Sequence, residues 1–274
     1  MQGLGDNVYQ RAFVKNLPRP VYLETPWPEL YADLEGVQFL RPVTKLRTQA
    51  KNIARQTQRW VATSGPNRRI SYGGDGIVAG MQKCFGVGPG TFDLPPMPSP
   101  RQGRYAVVRP ATIRREWLAE SRNPRPEYIA EAASILMDRG YRVISVADLE
   151  PGVEWALDPL PPADERLHGG ELTVTELLGL VQHATVVIGG VGWILPAAIA
   201  GRVPAWIIFG GWGFFNAPER LIDCRMEVSH IGIALPDRFC RCRFNRHSCD
   251  KRISDHAGKF SRWLAGRGHA AVAA

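Results

Sequence analysis

Hydrophobic and polar positions fall into two rhythms that change near Tyr105. From there on, short runs that are almost wholly apolar alternate with longer stretches of helical spacing. The runs are Tyr105-Ala106-Val107-Val108-Arg109, Tyr141 to Val146, Ala184 to Gly189 and Val203 to Phe209; the helical stretches are Pro126 to Arg139, Thr173 to His183 and Ile194 to Ala200. A run without polar alternation suits a strand covered on both faces, and strands separated by helices of about ten residues build a parallel sheet wound on both sides. Local signals agree: Pro110 stops the first run, Gly140 closes the first helix and Glu176 sits in the first turn of the second. The acidic stretch from Asp148 to Asp164 reads as a loop.

Before Tyr105 the pattern is less regular. Gly3-Leu4-Gly5-Asp6 leads into a helix-like run through Phe13, and short strands are expected at Pro20 to Glu24 and Val37 to Leu40. Trp27 to Leu34, Thr44 to Trp60 and Gly76 to Phe85 read as helices. The proline-rich Leu94 to Gly103 reads as a linker. The expected division is an α/β unit over residues 1–98, a second over 99–250, and a C-terminal helix and tail over 251–274, with the helix at Ile253 to Leu264 and a frayed end past Gly266.

Charge adds a second layer. The net charge is +8, and from Gly36 to Gly74 no acid offsets Arg41, Lys45, Arg47, Lys51, Arg55, Arg59, Arg68 and Arg69. Arg47, Lys51, Arg55 and Arg59 recur every fourth residue and share one face of a helix, where like charges repel. An anionic partner relieves that repulsion, and so does simple solvation of a surface face. A 45% hydrophobic content excludes a disordered chain. No apolar run reaches the roughly 20 residues of a membrane span, and no secretory signal is read, so a cytoplasmic protein without membrane insertion is expected.

Chemistry concentrates in three places. Sheets of this kind bind ligands beyond the carboxyl ends of their strands, where Gly189-Gly190-Val191-Gly192 and Gly210-Gly211-Trp212-Gly213 are expected. Trp193 and Trp212 beside them either stack on a base or sugar or bury in the core. At the start of the chain, Asp6 is either a helix cap or a general base over an anion-binding turn. Near the end, Cys240, Cys242 and Cys249, with His247, His256 and Cys224 as further donors, have metal-ligand composition, zinc being one candidate; free thiols or a disulfide are the alternatives.

Three segments in order resemble the heptosyltransferase-like, family 9-like glycosyltransferases: Gly3-Leu4-Gly5-Asp6 before a helix, Val107-Val108-Arg109-Pro110-Ala111 followed by Arg114-Arg115-Glu116-Trp117, and Ala184 to Phe209. The resemblance implies a GT-B architecture, two Rossmann-like domains with parallel sheets facing a cleft, and a nucleotide-diphosphate sugar as donor. It implies Asp6 as the base that deprotonates the acceptor, with Gly5 and Asn7 beside the acceptor, and Arg109, Arg114, Arg115, Gly190, Val191, Gly192 and Trp193 at the donor and its phosphates. No Asp-x-Asp pair is present, so a metal-independent reaction is expected. The sequence departs from the family where Arg109 replaces a histidine, where Val191 and Gly192 replace an acidic residue and a serine or threonine, and where Pro196 replaces a histidine. The acceptor is expected on Arg47, Lys51, Arg55 and Arg59: a phosphorylated saccharide, as the resemblance implies, or a modified base in DNA, as in phage-type DNA glycosyltransferases. A degenerate module that only binds nucleic acid or anionic glycan is the alternative.

Overall fold

The computed structural model describes residues 3–72 and 75–268. The first part contains helix α1 (Leu4–Val14), strands β1 (Val21–Glu24) and β2 (Val37–Leu40), helix α2 (Arg47–Arg55), strand β3 (Trp60–Val61) and helix α3 (Ile77–Phe85). The strands form a parallel sheet in the order β1-β2-β3. Val21 and Leu23 face inward and Tyr22 and Glu24 outward, because side chains alternate along a strand. Against this sheet α1 buries Val8, Tyr9, Ala12 and Phe13, with Phe13 stacked on Phe85 of α3 at 5.4 Å. Arg11, on the same helix, is buried and held by Asp33 at 2.6 Å and Asp93 at 3.0 Å. That pairing fixes α1 between the 3-10 turn at Pro28–Tyr31 and the segment entering the second part. Helix α2 stops at Arg55 rather than running on to Trp60, because Trp60 pairs with Phe39 as a strand.

Residues 86–104 form no helix or strand, as the prolines predict. They are nonetheless docked: Phe92, Leu94 and Met97 are buried, and Gln182 donates to the Pro95 carbonyl and accepts from the Met97 amide, each at 2.9 Å.

The second part contains β4 (Tyr105–Val108), β5 (Thr112–Arg114), α4 (Pro126–Asp138), β6 (Arg142–Val146), β7 (Glu154–Ala156), β8 (Glu165–Leu167), α5 (Val174–Gln182), β9 (Val186–Gly190), α6 (Ile194–Gly201), β10 (Ala205–Ile208), the short α7 (Gly213–Asn216) and α8 (Pro218–Leu221), β11 (Ile231–Ala234) and α9 (His256–Gly268). Six strands form one parallel sheet in the order β11-β10-β9-β4-β6-β8. Counted within this sheet the order is 3-2-1-4-5-6, so the direction in which successive strands are added reverses between β4 and β9. Such a reversal opens a crevice at the carboxyl ends of those two strands. Helices α4 and α9 cover one face, over Ala132, Ala133, Leu136 and Phe260. Helices α5 and α6 cover the other, and α1 packs onto α6, so both sheets share one hydrophobic core.

The Asp148–Asp164 stretch is not simply a loop, since it carries β7, which pairs antiparallel with β5 outside the main sheet. The edge strands β8 and β11 also lie outside the apolar runs; an edge strand is covered on fewer sides and needs less hydrophobic sequence. The expected frayed end falls largely on residues 269–274, outside the described residues.

Candidate active site

A cleft of about 660 Å³ lies between the two sheets. One wall is the start of α1. Gly3 occupies the N-cap, and Asp6 lies in the first turn, where its carboxylate accepts from the Gly3 amide rather than capping as the leading residue. Burial raises its pKa, with the nearby Arg122 guanidinium pulling the other way. Tyr9, one turn on, lines the same wall; its buried hydroxyl has no hydrogen-bond partner among the described residues, and burial and the nearby Asp6 raise its pKa.

The opposite wall is the crevice between β4 and β9. Arg109 leaves β4 there, its amide bonded to the Ile188 carbonyl at 2.8 Å, and Val191, Gly192 and Trp193 follow β9 into α6. Arg109 is 9% exposed and donates to Thr112 Oγ1 at 3.2 Å; burial, then repulsion from Arg114, lowers its pKa to about 10. Arg114 also lines the cleft and pairs with Glu154 at 2.7 Å. Trp212 forms part of the wall in a left-handed conformation, φ 57°, that a bulky side chain rarely adopts. Its ring N–H donates to the Arg243 carbonyl at 3.0 Å, and the Gly213 amide bonds the Cys240 carbonyl at 2.9 Å, so the cysteine-bearing loop holds this turn.

No protein-family model and no curated protein sequence matches this chain. Solved structures do match in fold. The iron-containing dodecameric glycosyltransferase TibC from enterotoxigenic E. coli H10407 superposes with a TM-score of 0.63 at 17% identity, covering 98% of this chain and 75% of that one. The TibC heptosyltransferase in complex with ADP-D-beta-D-heptose gives 0.61 at 17% identity, covering 98% and 76%. A glycosyltransferase family 9 structure from Veillonella parvula DSM 2008 gives 0.55 at 10% identity, covering 96% and 95%. This chain has the heptosyltransferase-like GT-B fold. Two parallel α/β sheets face a cleft, as the sequence resemblance implied.

Within that cleft the structure brings together Gly5, Asp6, Lys51, Arg55, Arg109, Arg114, Val191, Gly192 and Trp193. Others lie elsewhere. Arg115 is exposed and outside the lining, because β5 ends at Arg114 and the chain turns there, the Trp117 amide bonding the Arg114 carbonyl at 3.1 Å. Asn7 follows Asp6 on a helix and is turned by about 100° into the core, where it accepts from Thr25 at 2.8 Å and Tyr31 at 3.1 Å. Gly190 is buried as the last residue of β9, where a side chain would meet Pro124 at 2.8 Å. Arg59 lies beyond the end of α2 and is exposed.

The basic face of α2 meets the second part of the chain. Arg47 pairs with Asp148 at 3.0 Å, Glu150 at 3.1 Å and Glu154 at 3.3 Å, while Lys51 pairs with Asp148 at 3.1 Å. Arg55 donates to the Gly170 and Leu172 carbonyls, each at 3.1 Å. Repulsion along the helix is thus relieved by the acidic stretch after β6, a charge complementarity already present in the sequence. Gly5 serves contact rather than turning. It lies inside α1, where a Cβ would stand 2.9 Å from the Trp193 Cα and 3.1 Å from Pro196 Cγ. Pro196, in the first turn of α6 where proline is tolerated, faces that contact and also lines the cleft.

Sequence reading missed Arg122, which lies in the cleft wall with its guanidinium 4.3 Å over the Trp117 ring. A lone arginine in a loop carries no signal until the loop is placed.

The cysteine loop gathers Cys240, Cys242, His247 and Cys249, with their donor atoms all within 4.8 Å of one another. Cys242 and Cys249 sulfurs are 3.6 Å apart, and His247 Nδ1 lies 3.3 Å from Cys249 Sγ and 3.6 Å from Cys240 Sγ. Tetrahedral bonds of about 2.3 Å to sulfur and 2.0–2.1 Å to nitrogen place ligands about 3.5–3.8 Å apart, so three thiols and an imidazole fit one ion. His247, rather than Cys224 or His256, completes the set. Cys249 Sγ lies against Gly211, where a Cβ would be 2.3 Å away, so this cluster abuts the turn carrying Trp212.

Proposed function

We propose that this chain is a nucleotide-sugar-dependent glycosyltransferase in which Asp6 deprotonates an acceptor hydroxyl. The observation that carries the reading is the placement of Asp6, on one wall of the cleft, against the sheet-reversal crevice with Arg109, Val191 and Gly192 on the other. Asp6 takes the proton of the acceptor hydroxyl, whose oxygen bonds to the anomeric carbon. The bond from that carbon to the donor phosphate oxygen breaks, and the electron pair stays with the diphosphate. Arg109 and the amides of Val191 and Gly192 at the start of α6 stabilise the negative charge that develops there. A nucleotide-diphosphate sugar is the donor, in keeping with the ADP-heptose in the TibC complex.

A compact anionic saccharide suits the acceptor side better than DNA, because Arg47, Lys51 and Arg55 are engaged across the cleft. Cys240, Cys242, His247 and Cys249 hold one structural metal ion, zinc in our assignment; with four protein ligands the set is closed and leaves no catalytic position. Iron is the alternative, since TibC is iron-containing. Elemental analysis of the purified chain distinguishes them.

The test of activity is a panel of nucleotide sugars scored for nucleoside diphosphate release and thermal stabilisation. Asp6→Asn is expected to abolish turnover while preserving nucleoside diphosphate binding; full turnover in that variant removes the base assignment. The replaced residues Val191, Gly192 and Pro196 favour a second reading, a degenerate module that binds an anionic glycan without catalysis, and stabilisation without release in every donor is its signature.

A further inference from the structure

Cations and carboxylates around the cleft do not balance. Six cations, Arg47, Lys51, Arg55, Arg109, Arg114 and Arg122, stand with four carboxylates, Asp6, Asp148, Glu150 and Glu154, and Arg47, Lys51 and Arg114 hold the last three in ion pairs. Arg109 and Arg122 remain with no salt bridge among the described residues. Arg122 has a buried Nε without a hydrogen-bond partner among the described residues. Burial, then repulsion from Arg109 and Arg114, lowers its pKa to about 10. An unpaired guanidinium in such a place is costly unless a ligand pairs with it.

The segment bearing Arg122 is held firmly at the carboxyl edge of the six-stranded sheet. Ser121 accepts from the Gly211 amide at 2.6 Å through its carbonyl, and Asn123 donates to the Thr112 carbonyl at 2.8 Å. The Arg122 guanidinium carbon sits over the Trp117 ring, 4.3 Å from its centre, and Trp117 meets Trp212 edge-on at 6.0 Å. Arg122 is thereby held close enough to Arg109 for the two charges to repel, and a guanidinium so held suits bidentate bonding of phosphate oxygens.

We infer that Arg122, together with Arg109, seats the diphosphate of the donor, with Trp117 holding the Arg122 fork in place. This rests on the reading of the cleft as a nucleotide-sugar site. The cleft's excess of two positive charges matches the two negative charges of a nucleotide-diphosphate sugar, and it selects that donor over ones activated by a single phosphate. When the anomeric carbon–oxygen bond breaks and its electron pair passes to the diphosphate, the same two guanidinium groups take up the added charge.

The experiment is calorimetric titration of the full chain with ADP, UDP, GDP, AMP and inorganic pyrophosphate, using the wild type, Arg122→Gln, Arg122→Lys and Asp6→Asn, with a thermal melt of each protein without ligand. The expected result is that Arg122→Gln weakens the bound diphosphate by about tenfold to a hundredfold, that Arg122→Lys restores it only partly, and that AMP is affected less. Asp6→Asn, which removes a negative charge near Arg122, binds the diphosphate at least as tightly as the wild type does. Without ligand, Arg122→Gln melts at the same or a higher temperature, because it removes an unpaired charge. Wild-type binding that Arg122→Gln leaves unchanged overturns the inference while the nucleotide-sugar reading stands. A lower melting temperature with unchanged affinity assigns Arg122 to the fold and overturns it equally. Absence of binding by the wild type to every probe overturns the nucleotide-sugar reading, and the inference falls with it.

Discussion

Replacing Gly5 by alanine sets two effects of opposite sign against each other. Inside a helix the change normally stabilises by about 1 kcal/mol, because glycine has more backbone freedom to lose on folding. At this position the added Cβ meets backbone, the Trp193 Cα at 2.9 Å, as well as Pro196 Cγ at 3.1 Å, and neither is the movable end of a flexible side chain. Overpacking of that kind costs about 1–3 kcal/mol, so the net expectation is a loss of about 1 kcal/mol, read as a fall in Tm of about 2–4 °C. The rest of the strain is relieved by sliding α1 away from α6, which displaces Asp6 on the next residue. A displacement approaching 1 Å costs up to about a hundredfold in turnover. Thermal melts and kcat on the same preparation measure both effects. A Tm that rises by 2 °C or more with unaltered kcat refutes the close-contact role and returns Gly5 to an ordinary helical glycine.

Arg47→Ala removes the group that joins Asp148, Glu150 and the 2%-exposed Glu154 across the cleft, and a loss of about 2 kcal/mol in denaturant unfolding is expected, since Glu154 keeps Arg114. In the same variant, duplex DNA affinity at fixed salt should stay within about twofold; a steep loss contradicts the assignment of this helix to the clasp. His256 gives a pH prediction. Its Nε2 accepts from Trp206 at 3.0 Å, because the indole only donates, so the proton sits on Nδ1 toward Glu131 at 2.6 Å. Burial holds its pKa below the usual value, so the ring is neutral in the folded chain while the unfolded chain takes up a proton below about pH 6.5. The stability tied to this ring is therefore complete above about pH 6.5 and lost as the pH falls below it. The urea midpoint of the wild type should drop between pH 7.5 and about 5.5 by more than that of His256→Asn; parallel drops exclude this histidine as the source.

Much of the architecture was legible because it depends on local periodicity. The runs at Tyr105, Tyr141, Ala184 and Val203 are strands, and the Pro126 and Thr173 helices begin within a residue of their expected starts, the latter with a full capping box between Thr173 and Glu176. What lacked a local pattern was missed. Strand β7 exists because Trp155 pairs with Ile113, and β11 because Ile231 pairs with Ala205, and neither partner can be inferred from its own neighbourhood. Thr44 to Trp60 was read as one helix, since spacing alone does not reveal that Trp60 has Phe39 to pair with.

Sequence alone determined the two-part α/β plan, the glycine turns at the carboxyl edge of the sheet, Asp6 at the head of the first helix and the cysteine-rich donor set, because each rests on residues near one another in the chain. Tertiary structure alone decided how each charge is used. The face of α2 that read as a docking surface for an anion closes against Asp148 and Glu154, about a hundred residues away. Arg122, with no distinguishing neighbours in sequence, lines the crevice with no salt bridge and a buried Nε unbonded among the described residues. A charge is a property of the residue, but whether it is spent within the fold or kept for a ligand depends on what the folded chain brings within about 4 Å of it.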